Sequence, residues 1–143
     1  IVINADPLTP TSYQVGDDMV AWVNRNRQFM VFEDGIITMV EDIVPEKYNL
    51  TDAVIAYEMP NRHFKAYYEG EAQILESYIP EDYKIDNETL VWVDYMNNLH
   101  ALAYGERVKP AKRIVSEFEI FVDVIQSNVN MFRPQFYYDG QVY

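Results

Sequence analysis

Two histidines, His63 and His100, are the side chains of this chain best suited to proton transfer or metal binding at neutral pH. Neither stands at a spacing typical of zinc ligands, no carboxylate partner can be assigned to either, and the chain has no Cys. The chain also lacks a Ser-His-Asp arrangement, a P-loop and a dinucleotide fingerprint. The sequence therefore predicts no catalytic residues, no metal site and no cofactor.

Acidic residues offer a second kind of chemistry. The pair Asp17-Asp18, the residue Asp52 and the run Asp86-Asn87-Glu88 could supply oxygen ligands for calcium. None of them matches the calcium-loop pattern, and Asp and Asn at such positions commonly cap turns, which is the interpretation we favour. A carboxylate pair for glycoside hydrolysis stays open because acids are plentiful, although nothing selects one.

The overall charge limits the choice of partner. Asp and Glu number 23 against 11 Lys and Arg, so the formal net charge is −12. A field of this sign repels nucleic acid and anionic lipid, and no apolar run approaches the roughly 18 residues of a membrane helix. We expect neither a nucleic-acid partner nor membrane insertion.

One segment reverses this charge. Four of the 11 cationic residues lie within seven positions, and they are Arg107, Lys109, Lys112 and Arg113. They form a candidate binding patch for an anionic partner or for an acidic face of a second copy, so self-association stays open. The alternative is a solvated loop.

Behind these residues lies an internal repeat with a step of 35 residues. Four of the five glycines keep this step without insertion, namely Gly35, Gly70, Gly105 and Gly140. The same step relates further columns: Pro10, Pro45 and Pro80; Tyr13, Tyr48, Tyr83 and Phe118; Trp22, Tyr57 and Trp92; Phe32, Tyr67, Leu102 and Tyr137. A fixed period of this length is typical of repeat architectures.

Each repeat has the pattern of three short antiparallel strands. In the first repeat the strands are Met19–Val23, Gln28–Phe32 and Ile36 to about Asp42. The Asp34-Gly35 pair between the last two predicts a tight hairpin, because primed turns need positive φ. The fold class is therefore all-β, with about four such repeats and roughly twelve strands.

A unit of this size cannot bury both faces alone, so neighbouring units must stack. The chain resembles β-propeller-type tandem repeat proteins as a class, which implies radially stacked blades; an open repeat array is the alternative. We expect a single repeat domain over 1–143, with units of roughly 14–48, 49–83, 84–118 and 119–143, the last completed by 1–13. Because the chain begins Ile1-Val2-Ile3 without Met, we also expect a processed product or a piece of a longer polypeptide.

The aromatic column of Trp22, Tyr57 and Trp92 allows two interpretations. One aromatic side chain per unit could form platforms for sugar rings or peptide side chains. We favour packing between units, because a large apolar side chain at a fixed phase is what stacking requires.

These observations predict a binding or scaffolding module without enzymatic activity, which holds a protein or a glycan on its loops. One alternative is a structural subunit of an extracellular or cell-envelope assembly, and a less favoured one is a hydrolase with an acidic pocket. The expected compartment is extracellular or the cell envelope, since the chain lacks Cys, as many exported bacterial proteins do.

Overall fold

A computed structural model of the chain describes residues 12–108, 117–121, 124–128, 134–138 and 141–142. These residues form strands and turns, with no helix among them, so the predicted all-β class is confirmed. Four sheets follow one another along the chain, each with four strands in sequence order and antiparallel pairing.

Sheet I contains β1 (Ser12–Val15), β2 (Met19–Val23), β3 (Phe29–Glu33) and β4 (Ile36–Glu41). Sheet II contains β5 (Lys47–Leu50), β6 (Val54–Glu58), β7 (Phe64–Tyr68) and β8 (Glu71–Glu76). Sheet III contains β9 (Tyr83–Asp86), β10 (Thr89–Val93), β11 (Leu99–Ala103) and β12 (Glu106–Val108). Sheet IV contains β13 (Glu117–Phe121), β14 (Val124–Asn128), β15 (Pro134–Tyr138) and β16 (Gln141–Val142).

The prediction of three strands per repeat is wrong, because each sheet has a fourth strand at its start. This strand carries the column of Tyr13, Tyr48, Tyr83 and Phe118. In sheets I to III it pairs with the next aromatic column, for example Tyr13 with Trp22 and Tyr83 with Trp92, whereas Phe118 pairs with Ser127. In sheets I to III this strand spans only four residues and follows a link that contains proline. Four residues are too few to show the alternation of apolar and polar side chains that marks a strand. The sheets therefore begin at residues 12, 47, 83 and 117, slightly before the predicted units.

The predicted hairpin turns are confirmed in the first three sheets. Asp34 and Gly35 both have positive φ, at 51° and 78°, and the same holds for Glu69-Gly70 and Tyr104-Gly105. Two successive positive φ angles are the signature of a two-residue type I′ turn, whose twist matches that of the flanking strands. Gly140 lies outside the described residues.

The chain divides into two compact units, Ile1–Tyr78 and Ile79–Tyr143. In the first, sheets I and II bury a shared core: Met19, Ala21, Val23, Phe29 and Val31 from sheet I, and Tyr48, Ile55, Tyr57, Met59 and Tyr67 from sheet II, where Met59 follows β6. In the second, the core of sheets III and IV contains Val91, Leu99, Ala101, Phe118 and Ile125. Within each unit the sheets thus stack face to face, as the repeat requires.

The prediction that residues 1–13 complete the fourth unit concerns a part of the chain that is largely undescribed. Residues 1–11 lie outside the described residues, while Ser12 and Tyr13 belong to β1 of sheet I. Strand exchange between the two ends of the chain therefore stays a prediction.

Candidate functional site

The aromatic column is part of the core. Trp22, Tyr57 and Trp92 are buried, the last two completely. Because no ring face of this column is available to a sugar or a peptide, the platform interpretation is wrong. Packing between units is confirmed for Tyr57, whose ring meets Phe29 of sheet I with centroids 5.4 Å apart.

One of the two histidines has a carboxylate partner. His100 Nε2 lies 2.9 Å from Asp94 Oδ2, and its ring stacks on Trp92 with centroids 5.4 Å apart and an interplanar angle of 13°. The expectation that neither histidine has a partner is wrong for His100, since the pairing of β10 with β11 brings the residue after β10 beside β11. His63 instead lies in the β6–β7 turn, where its backbone N–H donates a hydrogen bond to Asn61 Oδ1 at 3.1 Å.

Asp94 organises the loop between β10 and β11. Its Oδ1 accepts hydrogen bonds from the backbone N–H groups of Met96, at 2.8 Å, and Asn98, at 2.9 Å. Burial opposes ionisation of this carboxyl group, but the hydrogen bonds from His100, Asn98 and Met96 outweigh it and lower the pKa of Asp94 to about 2. The ionised carboxylate of Asp94, itself a residue of this loop, therefore holds the loop backbone in place.

Two large apolar side chains stand at the tip of this loop. Tyr95 is 81% exposed and Met96 is 58% exposed. One repeat earlier these positions hold Pro60 and Asn61, and two repeats earlier they hold Arg25 and Asn26. We refer to residues 94–98 as the Tyr95 loop. Such an exposed apolar pair, on a loop whose backbone is held in place, is a candidate contact for another molecule.

An acidic cleft of about 230 Å³ lies at the hairpin ends of sheets I and II, and it is lined by Glu33, Asp34, Ile36, Thr38, Tyr67, Glu69 and Gly70. The Tyr67 hydroxyl donates a hydrogen bond to Glu33 Oε2 at 3.2 Å. Burial raises the pKa of Glu33, the Tyr67 hydrogen bond lowers it, and the charges of Asp34 and Glu69 raise it further, with a net upward shift. The fold thus brings three carboxylates, Glu33, Asp34 and Glu69, to one cleft.

Asp52, one of the acidic residues before the second strands, binds the backbone of a turn in the neighbouring sheet. Asp52 Oδ1 accepts a hydrogen bond from the Asp17 backbone N–H at 2.6 Å, which ties the β1–β2 turn to the β5–β6 turn. Within the part of the chain that the structure describes, no group of three or more His, Asp or Glu side chains is placed to hold a metal ion.

The basic segment is described only at its first member. Arg107 is exposed on β12, and its guanidinium carbon lies 5.2 Å from the centroid of the buried Trp92 ring. Lys109, Lys112 and Arg113 lie outside the described residues. Arg107 therefore has a packing role against Trp92, and the binding role of the whole segment stays a prediction.

Reasoning from the sequence missed the Tyr95 loop. The signal was present as a departure from the repeat, since the first two repeats have no aromatic residue at these turn positions. The repeat alone could not show that Asp94 fixes the loop or that the two side chains point to solvent.

Comparison with known proteins agrees with the stacked four-stranded sheets. A family model described as "10-bladed beta propeller domain" matches residues 2–143. The chain belongs to this family. The resemblance to β-propeller-type repeats is thereby confirmed, and membership in a propeller family is typical of binding or scaffolding modules.

No curated protein matches the chain in sequence. Among solved structures, the computationally designed Ika4 protein is similar over 96% of this chain and 95% of its own, with 10% identity and a TM-score of 0.44. The designed Ika8 protein is similar over 93% of this chain and 44% of its own, with 11% identity and a TM-score of 0.42. The N-terminal domain of Nup159 is similar over 96% of this chain and 52% of its own, with 10% identity and a TM-score of 0.39. This propeller-family chain thus spans about half the length, or less, of the last two.

Among the described residues, no helix has the length and apolar character needed to cross a membrane.

Proposed function

We propose that this propeller-family chain is a non-enzymatic module that binds a protein partner, and that the Tyr95 loop is its principal contact. The exposure of Tyr95 and Met96 on a loop held by Asp94 is the observation that supports this function. Trp22, Tyr57 and Trp92 are buried in the core, whereas Tyr95 and Met96 are among the large apolar side chains that are exposed in the described residues.

The chemistry of the pair suits protein recognition. A Tyr side chain contributes a large contact area with few rotatable bonds and a hydroxyl that can hydrogen-bond, and it is enriched among residues that dominate binding energy. A Met side chain adapts to irregular apolar pockets. Because Asp94 already orders the backbone, little further loop entropy is lost on binding.

The test begins with capture of candidate partners by the tagged domain, followed by titration of each purified candidate. We then compare Tyr95→Ala/Met96→Ala with Arg25→Ala/Asn26→Ala, which changes the matching loop of sheet I. We expect the first variant to weaken binding by roughly 30-fold or more and the second to change it by less than about twofold. Equal loss in both variants, or no purified protein that binds saturably, would contradict the proposal.

Glycan binding and self-assembly are separate outcomes of the same programme. Saturable binding on a glycan array that is lost in Tyr95→Ala would replace the protein partner by a sugar. Light scattering that shows an open-ended polymer of the isolated chain would favour a structural subunit of an extracellular or cell-envelope assembly. We propose a discrete, non-polymerising species.

We further propose that the segment carrying Arg107, Lys109, Lys112 and Arg113 contacts anionic groups of the same partner. This rests on its contrast with a chain of net charge −12. Neutralising Lys109, Lys112 and Arg113 should leave the melting temperature unchanged and reduce both the affinity and its dependence on salt. Affinity that does not depend on salt, before and after the change, would remove this segment from the interface.

A further inference from the structure

The outer edge of sheet I differs from those of sheets II and III. β4 is the last strand of its sheet and carries an uncharged run of residues with high β-propensity, Ile36–Val40. Ile36 is 65% exposed and Met39 is 52% exposed. The corresponding strand β8 begins and ends with Glu and has Ala72 and Gln73 inside, while β12 is three residues long with two charges. Charges are a usual protection of an edge against further pairing. The one charge of β4, Glu41, is bound by Tyr57 and Lys65 of sheet II, and the Ile36–Val40 run has none.

The register shows which backbone groups of β4 are directed away from β3, the side on which no strand of the described residues pairs. Glu33 and Ile36 flank the two-residue turn and form the hydrogen-bonded pair that closes it. The next pair, Phe32 and Ile37, is then a non-hydrogen-bonded pair, so the N–H and C=O of Ile37 point away from β3. By the same alternation, the N–H and C=O of Met39 also point outward, and the regular register ends there, because a β-bulge at Val40 lets Phe29 pair with Glu41. These groups form a template for one more strand.

Charge decides between two occupants of this edge. If a second copy paired antiparallel about Thr38, the end of β4 next to Asp34 in each copy would lie beside the end next to Asp42 in the other. Both aspartates are exposed, and each chain carries a net charge of −12. Like charges brought together at both ends of the strand pair oppose this pairing. The same two aspartates attract a segment whose ends are basic.

We propose that β4 binds an extended peptide segment of a partner protein, which adds a fifth strand to sheet I, with apolar or β-branched residues in its centre and Lys or Arg at both ends. Main-chain hydrogen bonds to Ile37 and Met39 supply affinity, as in other cases of strand addition. The two basic ends, facing Asp34 and Asp42, supply selectivity. The acidic cleft adds to this field at one end of β4, because Glu33, Asp34 and Ile36 line it. This surface is distinct from the Tyr95 loop.

The experiment uses a labelled, end-capped peptide of nine residues, the span from Asp34 to Asp42, with alternating Val and Thr between terminal Lys residues. Its binding to the full chain is measured by fluorescence anisotropy. Control peptides carry Glu in place of Lys, or N-methyl groups on alternate Val residues. Matched protein variants are Ile37→Pro and Ala72→Pro, which remove the equivalent outward N–H from β4 and from β8.

We expect the Lys-ended peptide to bind saturably, and both control peptides to bind at least roughly tenfold more weakly. Ile37→Pro should weaken binding by roughly tenfold, and Ala72→Pro should change it by less than about twofold. Asp34→Asn/Asp42→Asn should weaken binding by roughly threefold to tenfold and reduce its salt dependence. Asn suits position 34 because its φ is positive there.

Equal binding of the Lys-ended and Glu-ended peptides would overturn the proposal, as would absence of saturable binding below about 1 mM. A chain dimer that Ile37→Pro dissociates would assign the edge to a second copy instead. If Ile37→Pro does not fold, the N-methylated peptide decides the question alone, because unweakened binding of that peptide is incompatible with an added strand. None of these outcomes depends on Tyr95 or Met96, so the proposed function is tested separately.

Discussion

The hydroxyl of Tyr57 on sheet II donates a hydrogen bond to Glu41 Oε1 on sheet I, with an oxygen-to-oxygen distance of 2.8 Å. The same carboxylate oxygen accepts a hydrogen bond from the ammonium group of Lys65 on sheet II. The side chains of Glu41 and Lys65 are 14% and 17% exposed, so this ion pair is largely shielded from water. One carboxylate on the outer strand of sheet I thus holds two side chains of the neighbouring sheet.

Tyr57→Phe should destabilise the chain. The substitution removes a hydrogen bond to a charged acceptor in a buried place, so we expect a loss of about 2 kcal/mol in the free energy of unfolding. Urea denaturation measures it. Tyr13→Phe is the matched control, because Tyr13 is 68% exposed, and it should change the free energy by less than about 0.5 kcal/mol. Equal free energies for Tyr57→Phe and the wild type would show that water replaces the hydroxyl at no cost.

The pairing of Glu41 with Lys65 predicts a strong coupling between the two residues. Removing one partner leaves the other charge buried, so Lys65→Met should cost about 3 kcal/mol. Glu41→Gln/Lys65→Met should cost less than the sum of the two single changes. A double-mutant cycle in urea gives the coupling energy, and additive effects would show that the two charges do not act on each other.

Asp94 predicts a loss of stability in acid. Its pKa in the folded chain, about 2, lies below the ordinary value of 3.8, so the unfolded chain takes up the proton first. The stabilisation is therefore complete above about pH 4 and is lost as the pH falls towards 2. Asp94→Asn should be less stable than wild type at pH 7, with the difference disappearing near pH 2. Thermal melts across this range measure the effect, with the exposed Asp18→Asn as a control.

The raised pKa of Glu33 predicts that this residue lowers the stability of the chain as the pH rises. Its pKa is raised by burial and by the charges of Asp34 and Glu69, so the folded chain holds the proton more tightly than the unfolded chain. The cost of ionising Glu33 appears as the pH rises through the folded pKa. Glu33→Gln should therefore stabilise the chain at pH 7, keep an acceptor for Tyr67, and match wild type well below pH 4.5. A variant that is less stable than wild type at pH 7 would contradict this assignment.

Glycine is required at position 70 because of its backbone conformation, and not because a side chain would lack room. Its φ is +87°, and a Cβ added there would have no neighbour within 4 Å. Gly70→Val should cost about 1–3 kcal/mol, whereas Gly70→Asn should cost less, because Asn tolerates the left-handed region. Equal melting temperatures of the two variants would show that the turn changes conformation to relieve the strain.

Much of the fold could be predicted from the repeat. The bounds of β2 and the turns at Gly35, Gly70 and Gly105 follow from the local rules of apolar runs and positive φ. The strands β1, β5 and β9 could not be recognised, because four residues show no clear period and their partners come later in the chain.

The candidate sites were harder to predict because they depend on register and stacking. Asp94 and His100 meet across a hairpin, so their pairing follows only once β10 and β11 are aligned residue by residue. Glu41 meets Tyr57 and Lys65 across two stacked sheets, and no local pattern carries that information.

The constant step of 35 residues has a consequence for how such a chain can change over generations. Since every sheet uses only strands that follow one another, duplication or deletion of one whole step leaves each inward-facing side chain in phase. Unequal recombination between neighbouring copies of the coding sequence would then alter the number of sheets while preserving the reading frame and the alternation of faces. Each copy can then differ at its loops without disturbing its neighbours, as Tyr95 and Met96 differ from Arg25-Asn26 and Pro60-Asn61 at the matching positions.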